Sequence, residues 1–315
     1  MERWIRVRTD EEYEAYAQMR NAMFPFQPTD GPAMRTSEER SPPAAGMERY
    51  LLARDEAFLG AGIVMQAYFF EAPGLFIADV FVPPGRAEVF ASIHERVAAR
   101  AHELGARRVR TMVSSLVPEC IAVLEARGYE EVERFPVTCL ELETFDPSPF
   151  GGTDLGEIDI VPLTRFIERH PDDWLPRIWR FDMELSRDMP FQEKWAEIPL
   201  ETYRGQYVDV PSFDPALHFV ALSGEVLAGI TMLNIVPSDP TLLGTGLTGV
   251  HRAYRRRGLA TALKLRAFEA ARARGVARIV TENESSNPML DLNVRLGFRP
   301  VYDEVVLARA LDAKQ

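Results

Sequence analysis

The chain has 315 residues, 46% hydrophobic and 26% charged; at about 100–200 residues per domain, that suits two folded domains and excludes a mostly disordered chain. The 36 Lys and Arg against 47 Asp and Glu leave a formal charge of −11, which argues against nucleic acid as a partner, because phosphate affinity comes mainly from Lys and Arg. Only Cys120 and Cys139 are present, too few for a disulfide framework and without zinc-ligand spacing, so no metal is expected and a reduced, cytoplasmic setting is the simplest expectation.

The opening residues, MERWIRVRTDEEYEAYAQ, hold no apolar signal core. From there the order reads strand, helix, possibly a second helix, strands, helix, strand, helix and a closing strand, and then begins again. Thr29–Gly46, rich in Pro, Ser and Gly, reads as a long loop or short helix inside the first copy. LLARDEAFLGAGIVM (Leu51–Met65) resembles HFVALSGEVLAGITM (His218–Met232), each an apolar strand, a polar turn and a second apolar strand, with Gly62 mapping to Gly229 at an offset of 167. HELGARRVRT matches ARARGVARIVT, placing Gly105 on Gly275 at 170, and LEARGY matches VRLGF, placing Gly128 on Gly297 at 169. Three matches in one order at nearly one offset predict two copies of a single domain. FDPSPFGGTDLG (Phe145–Gly156) is dense in Pro, Gly, Ser and Asp and suits an exposed connection. The predicted division is 1–145, a linker at 146–156, and 157–315.

In the second copy Glu157–Val161 opens as a strand, and Arg165–Leu185 is helical with breaks expected at Pro171 and Pro176. His218–Leu222, Val226–Ile235 and Leu242–Val250 are strand candidates. The most apolar long window, Leu217–Val236, contains Gly224, Glu225 and Gly229, so it reads as two strands around a turn, and no membrane association is expected. Leu259–Arg274 has helical apolar spacing through Leu259, Leu263, Ala267 and Ala270, and Gly275 stops it. Ala277–Thr281 is the next strand, Pro288–Leu296 a short helix, and Val301–Leu307 the closing strand.

Chemistry concentrates in GLTGVHRAYRRRGLATALK (Gly246–Lys264). A strand ends at Val250, a loop carries Arg255, Arg256, Arg257 and Gly258, and a helix begins. Unpaired N–H groups at a helix start carry partial positive charge and suit a phosphate or pyrophosphate. Gly258 lets the backbone approach the ligand, Ala260 keeps the first turn free of bulk, and the arginines add forked donors.

Arg255-x-x-Gly258-x-Ala260, after a strand and before an amphipathic helix, resembles the pyrophosphate loop of the GNAT acetyltransferase superfamily. TENESSNPMLDLNVRLGF (Thr281–Phe298) is similar to the Asn-rich ending of one branch of that family, with Leu290 slightly offset. The resemblance implies an α/β (mixed α+β) fold: two tandem GNAT-like domains, each a twisted mixed sheet with helices on both faces. It implies acetyl-CoA as acyl donor and direct attack of an amine on the thioester. It places the donor along Thr248, Gly249 and Val250, across Arg255, Arg256, Arg257, Gly258, Leu259, Ala260 and Thr261, and beside Asn283, Asn287 and Asn293. Asn287, just before Pro288, also suits a helix N-cap. Length and two-copy layout are similar to mycothiol synthase as well, although no residue identifies a cysteinyl-sugar acceptor.

The sequence departs from the family in places. Many members carry a Tyr four residues before the helix-ending Gly, where it protonates the leaving thiolate; Asn293 stands there, and an amide is no acid. The strand Thr241–Val250 has no carboxylate, so base candidates come from Asp182, Glu184 and Asp188. Glu184 is the first choice, because partial burial among Phe181, Met183 and Leu185 could raise its pKa. His218 has a suitable intrinsic pKa but sits at a strand start and reads as a surface residue. In the first copy Glu88–Phe90 falls where Gly258 stands in the second, which predicts a lost cofactor site and a structural role, pairing with the second copy and walling its acceptor cleft. The expected function is an N-acetyltransferase acting on a primary amine of a small molecule, with its site in the second copy; aminoglycoside, polyamine and peptide amines stay open. The alternative is an acyl-CoA-binding sensor or scaffold with little transferase activity. Two fused copies favour a monomer over a homodimer.

Overall fold

Thr9 and Glu12 cap the first helix reciprocally, the Thr9 hydroxyl accepting from the Glu12 N–H and the Glu12 carboxylate from the Thr9 N–H. In the computed structural model, which describes residues 2–152 and 154–311, that helix is α1 (Asp10–Met23), flanked by β1 (Glu2–Arg6) and α2 (Gly31–Glu39). Then come β2 (Glu48–Arg54), β3 (Ala57–Gln66), β4 (Leu75–Ile77), β5 (Val80–Phe81), α3 (Ala87–Glu103), β6 (Arg108–Ser114), α4 (Pro118–Glu125) and β7 (Glu130–Glu141). The second copy runs β8 (Ile158–Pro162), α5 (Leu163–Arg169), α6 (Trp174–Ser186), α7 (Leu200–Tyr203), β9 (His218–Ser223), β10 (Val226–Ile235), β11 (Leu242–Val250), α8 (Leu259–Ala273), β12 (Arg278–Glu282), α9 (Pro288–Arg295) and β13 (Arg299–Ala310). Pro171 separates α5 from α6 as expected, but Pro176 does not break α6. It is the third helical residue, where the missing N–H has no intrahelical acceptor to lose.

The chain folds as two units that are not the division read from the repeat. The first holds the chain through Val137, Phe191–Glu197 and the segment from Pro300 onward; the second holds Thr138–Pro190 and Ile198–Arg299. In the first, the strand order is β1-β2-β3-β4-β6-β13-β7, with β5 also on β3. In the second it is β7-β12-β11-β10-β9-β8, with β7 contributing its last residues. The boundary at 157–315 therefore fails at its far end, because β13 pairs antiparallel with β6, Val306 opposite Met112. Phe191–Glu197 is the other departure. Its Phe191 and Trp195 pack with Phe69 and Phe70 in an aromatic cluster of the first unit.

Side-chain alternation makes the second unit three-layered. Phe219 and Ala221 of β9 face the core under α8, while Val220 and Leu222 face the core under α5 and α6. The connection after β7 is less exposed than its composition predicts: Phe145 packs edge-on against Phe268, and Phe150 and Leu155 join the same core. Glycines seat the central helix of each copy. A Cβ on Gly229 would lie 2.8 Å from Leu263 Cδ1, and one on Gly62 would lie 2.8 Å from Val97 Cγ1 and 3.0 Å from Ile93 Cγ2. The sequence correspondence of Gly62 and Gly229 is thus one packing contact made twice. Among the described residues no helix is long and apolar enough to cross a membrane.

Candidate functional site

β11 and β12 run parallel for three pairs, Leu242/Arg278, Leu243/Ile279 and Gly244/Val280. Beyond them β11 continues with β10, so its edge toward β12 presents main-chain groups that seek partners. A bulge falls at the parting: Thr231 pairs with Thr248 but Leu233 with Thr245, so β11 carries an extra residue there. The side chains at the end of β11 have structural work. Thr248 Oγ1 bonds Thr231 Oγ1 at 2.8 Å, a Cβ on Gly249 would meet Leu185 at 2.8 Å, and Val250 packs in the core. Only the backbone of Thr248, Gly249 and Val250 is left to face a ligand.

The loop after β11 is held by ion pairs. Arg255 Nε donates to the Val250 carbonyl at 2.9 Å, and Arg252 and Arg255 both donate to the Asp188 carboxylate. Arg256 takes φ +62 and Gly258 φ +76, left-handed turns that deliver the chain into α8. Gly258 stands at the N-cap and no side chain caps the helix, so the N–H groups of Leu259, Ala260 and Thr261 begin α8 without intrahelical acceptors. Arg255 shapes the loop, while Arg256 and Arg257 remain exposed beside the helix start. Arg257 lies over the Tyr254 ring at 5.7 Å, and an uncapped helix start with two exposed guanidinium groups beside it fits a pyrophosphate.

The asparagines are engaged with one another and with the backbone. Asn287 Oδ1 accepts from the Met289 N–H at 2.9 Å and caps α9. Asn293 Nδ2 donates to Asn283 Oδ1 at 2.7 Å. Asn293 is fully buried, and among the described residues its own Oδ1 has no partner.

The base candidates separate by environment. Asp188 is excluded, because Arg252 and Arg255 hold its carboxyl down at about 2. Asp182 is pushed up by burial, against donation from the Tyr203 and Ser186 hydroxyls at 2.8 and 3.0 Å. His218 is buried against Phe213, not on the surface, and desolvation pulls its pKa to about 4. Glu184 is exposed, so the partial burial expected for it is absent: its neighbours Phe181, Met183 and Leu185 turn inward and it does not. It instead meets His251, which sequence reasoning passed over although it directly follows β11. His251 Nδ1 accepts from the Ala253 N–H at 3.2 Å, and Nε2 lies 3.3 Å from Glu184 Oε1. That arrangement fixes the imidazole ring by its Nδ1 contact and turns Nε2 toward the carboxylate.

The first unit differs from the second at the loop and at the parted edge, although the start of α3 carries no side-chain cap either. Five residues (82–86) separate β5 from α3, against eight (251–258) between β11 and α8. Glu88 occupies the first turn of α3, Phe90 is fully buried, and the Gly85 N–H is taken by Glu119 Oε1 at 2.9 Å. Where β4 and β6 part, Asp79 Oδ1 accepts from the Met112 N–H at 2.8 Å. Among the described residues no group of three or more His, Cys, Asp or Glu is arranged to hold a metal.

A sheet parted at an uncapped helix start, present twice with a shorter loop and an acidic first turn in the first copy, defines a tandem GNAT fold. Residues 178–298 match the model of the Acetyltransferase (GNAT) family. No curated protein matches the chain. A tandem GNAT protein from the clavulanic acid biosynthesis pathway is similar over 100% of both chains, with a TM-score of 0.74 and 20% identity. A GCN5-related N-acetyltransferase from Sphaerobacter thermophilus is similar over 98% of this chain and 95% of its own, with a TM-score of 0.70 and 16% identity. The GCN5-related glucosamine N-acetyltransferase region of a fungal multi-domain β-N-acetylglucosaminidase aligns with 98% of this chain and 38% of its own, at a TM-score of 0.69 and 15% identity. Fold and family model together support acyl transfer as the general chemistry.

Proposed function

We propose that the second unit transfers an acetyl group from acetyl-CoA to a primary amine of a small molecule. The observation that carries this reading is the parting of β11 from β12 beside the uncapped, arginine-flanked start of α8. The donor's pyrophosphate would sit on the N–H groups of Leu259, Ala260 and Thr261, with Arg256 and Arg257 alongside. Its arm would take the open edge of β11, near Asn283 and Asn293, while Asn287 keeps its capping role. Acetyl-CoA, when bound, supplies the activated thioester. Backbone N–H groups near Val250 would steady the acyl oxygen. Glu184, oriented by His251, would accept a proton from the incoming ammonium. The first unit has a structural role and binds no acyl-CoA: Asp79 occupies the Met112 N–H where its strands part, the loop before α3 is three residues shorter, and Glu88 puts a negative charge in the first turn of α3. We read the protein as a cytoplasmic monomer that uses neither metal nor nucleic acid.

One observation favours a second reading, an acyl-CoA sensor or scaffold: Asn293, buried and bound to Asn283, stands where an acid would protonate the leaving thiolate. A thiol-release assay with acetyl-CoA against mixed primary amines, run beside a binding titration, separates the two. Amine-dependent release supports the transferase. Binding without release supports the sensor.

A further inference from the structure

Lys264 is 1% exposed. It lies in the second turn of α8, on the stripe that also carries Ala260, Phe268 and Ala271. Its ammonium lies 5.7 Å from the centroid of the Phe298 ring, and among the described residues no hydrogen bond or carboxylate reaches it. Charged groups on the neighbouring elements turn elsewhere. Arg272 donates to the Leu142 and Phe145 carbonyls, Arg278 pairs with Asp239, and Glu282, Asp291 and Arg295 are exposed. His218 is buried against Phe213. Burial alone pulls the Lys264 pKa down to about 7, so amine and ammonium are closely balanced at neutral pH. Asn293, five residues before Phe298, carries an unsatisfied acceptor of its own. The Phe298 N–H donates to the Asn293 carbonyl at 3.0 Å, and among the described residues Asn293 Oδ1 is buried without a partner.

The distance to the anion site is set by the helix. Lys264 lies six positions after Gly258, about 9 Å along the axis. At about 10 Å and an effective dielectric of about 20, each negative charge at the start of α8 raises the lysine's pKa by about one. We propose that binding of acyl-CoA to the second unit draws a proton onto Lys264, so that the buried amine becomes the cation of the cleft only when the anionic ligand arrives. This rests on the acyl-CoA reading of the site. It makes affinity depend on pH: above neutrality, binding weakens by up to about tenfold per pH unit as the proton becomes harder to supply.

The test is calorimetric titration of the full-length protein with acetyl-CoA at pH 8, in two buffers of different ionisation heat. The second ionisation of a phosphate is complete by then, its pKa being about 6, and a thioester has no thiol to titrate. The expected result is uptake of more than about half a proton per acetyl-CoA bound. Lys264→Met and Lys264→Gln should fold, since each removes a buried charge, and should take up almost none. His94→Leu is the matched control, because His94 occupies the equivalent place in the first copy, 5.0 Å from the Tyr129 ring, and its loss should leave uptake unchanged. Tight binding without uptake in the unaltered protein overturns the proposal and leaves the acyl-CoA reading standing, as does equal uptake by Lys264→Met. Failure to bind acetyl-CoA in either buffer overturns both.

Discussion

Gly229→Ala probes how α8 is placed over β11. The added Cβ would meet Leu263 Cδ1 at 2.8 Å, the Gly249 carbonyl oxygen at 3.2 Å and Val250 Cγ2 at 3.5 Å. Leu263 is fully buried, so it has nowhere to swing, and the Gly249 oxygen belongs to the strand that carries the proposed site. Overpacking of this kind costs about 1–3 kcal/mol, and the better strand propensity of Ala returns about 0.5–1 kcal/mol. The net loss is about 1–2 kcal/mol, or roughly 2–8 °C in melting temperature for a unit of this size. Because α8 must shift to relieve the contact, acetyl-CoA affinity should fall as well. Gly62→Ala is the internal control. Its Cβ would meet Val97 and Ile93 at 2.8 and 3.0 Å, so it should cost similar stability with no effect on affinity. Thermal melts and acetyl-CoA titrations of both variants decide the matter. The reasoning is refuted if Gly62→Ala weakens binding as much as Gly229→Ala, or if Gly229→Ala changes neither quantity.

Gly258→Val should abolish most acetyl-CoA affinity, since φ +76 is costly for a β-branched residue and the loop would redirect the start of α8; hydrogen exchange should show the rest of the second unit still folded. Glu184→Gln should lower kcat for amine acetylation with acetyl-CoA affinity unchanged, whereas full activity would remove Glu184 as the base. Asp188→Asn tests the ion-pair anchor: Arg252 and Arg255 hold the carboxyl near 2, below the unfolded value of about 3.9, so its contribution is present above that value and is lost as pH falls toward 2. With both arginines well exposed the effect is about 1 kcal/mol or less, and melting curves of the two proteins should converge by pH 2. His94→Leu should raise the melting temperature more at pH 5 than at pH 7, because burial depresses the imidazole from about 6.5 to about 4 and its protonation in the unfolded chain erodes stability across that window.

The repeat, the three layers and the loop before α8 were legible because each leaves a local mark. Gly62 and Gly229 sit under the same turn of equivalent helices, and β10 and β11 end where the apolar runs end. The exchange of closing strands left no such mark. β7 and β13 are equivalent strands of one repeat, and a strand that can close its own copy can also close the other, so the pattern is blind to which does. Phe191–Glu197 was equally hidden, since an aromatic loop after Pro190 carries no signal of the unit that will receive it. The local structure of the candidate site was legible in its backbone and less so in its side chains. Spacing located Gly258 and the asparagines but could not say that Asn287 would cap α9, that Asn293 would bond Asn283, or that Asp188 would be spent on two arginines. Lys264 could have been noticed as a charge on the inward stripe of α8, and His251 as an ionisable residue directly after β11.

The central claim, one acyl-CoA site per chain and that site in the second unit, is tested most directly by the stoichiometry of acetyl-CoA binding to the full-length protein. The account predicts one site, abolished by Gly258→Val and untouched by replacing Asp79 with Asn. Two sites, or a single site that survives Gly258→Val, would contradict it.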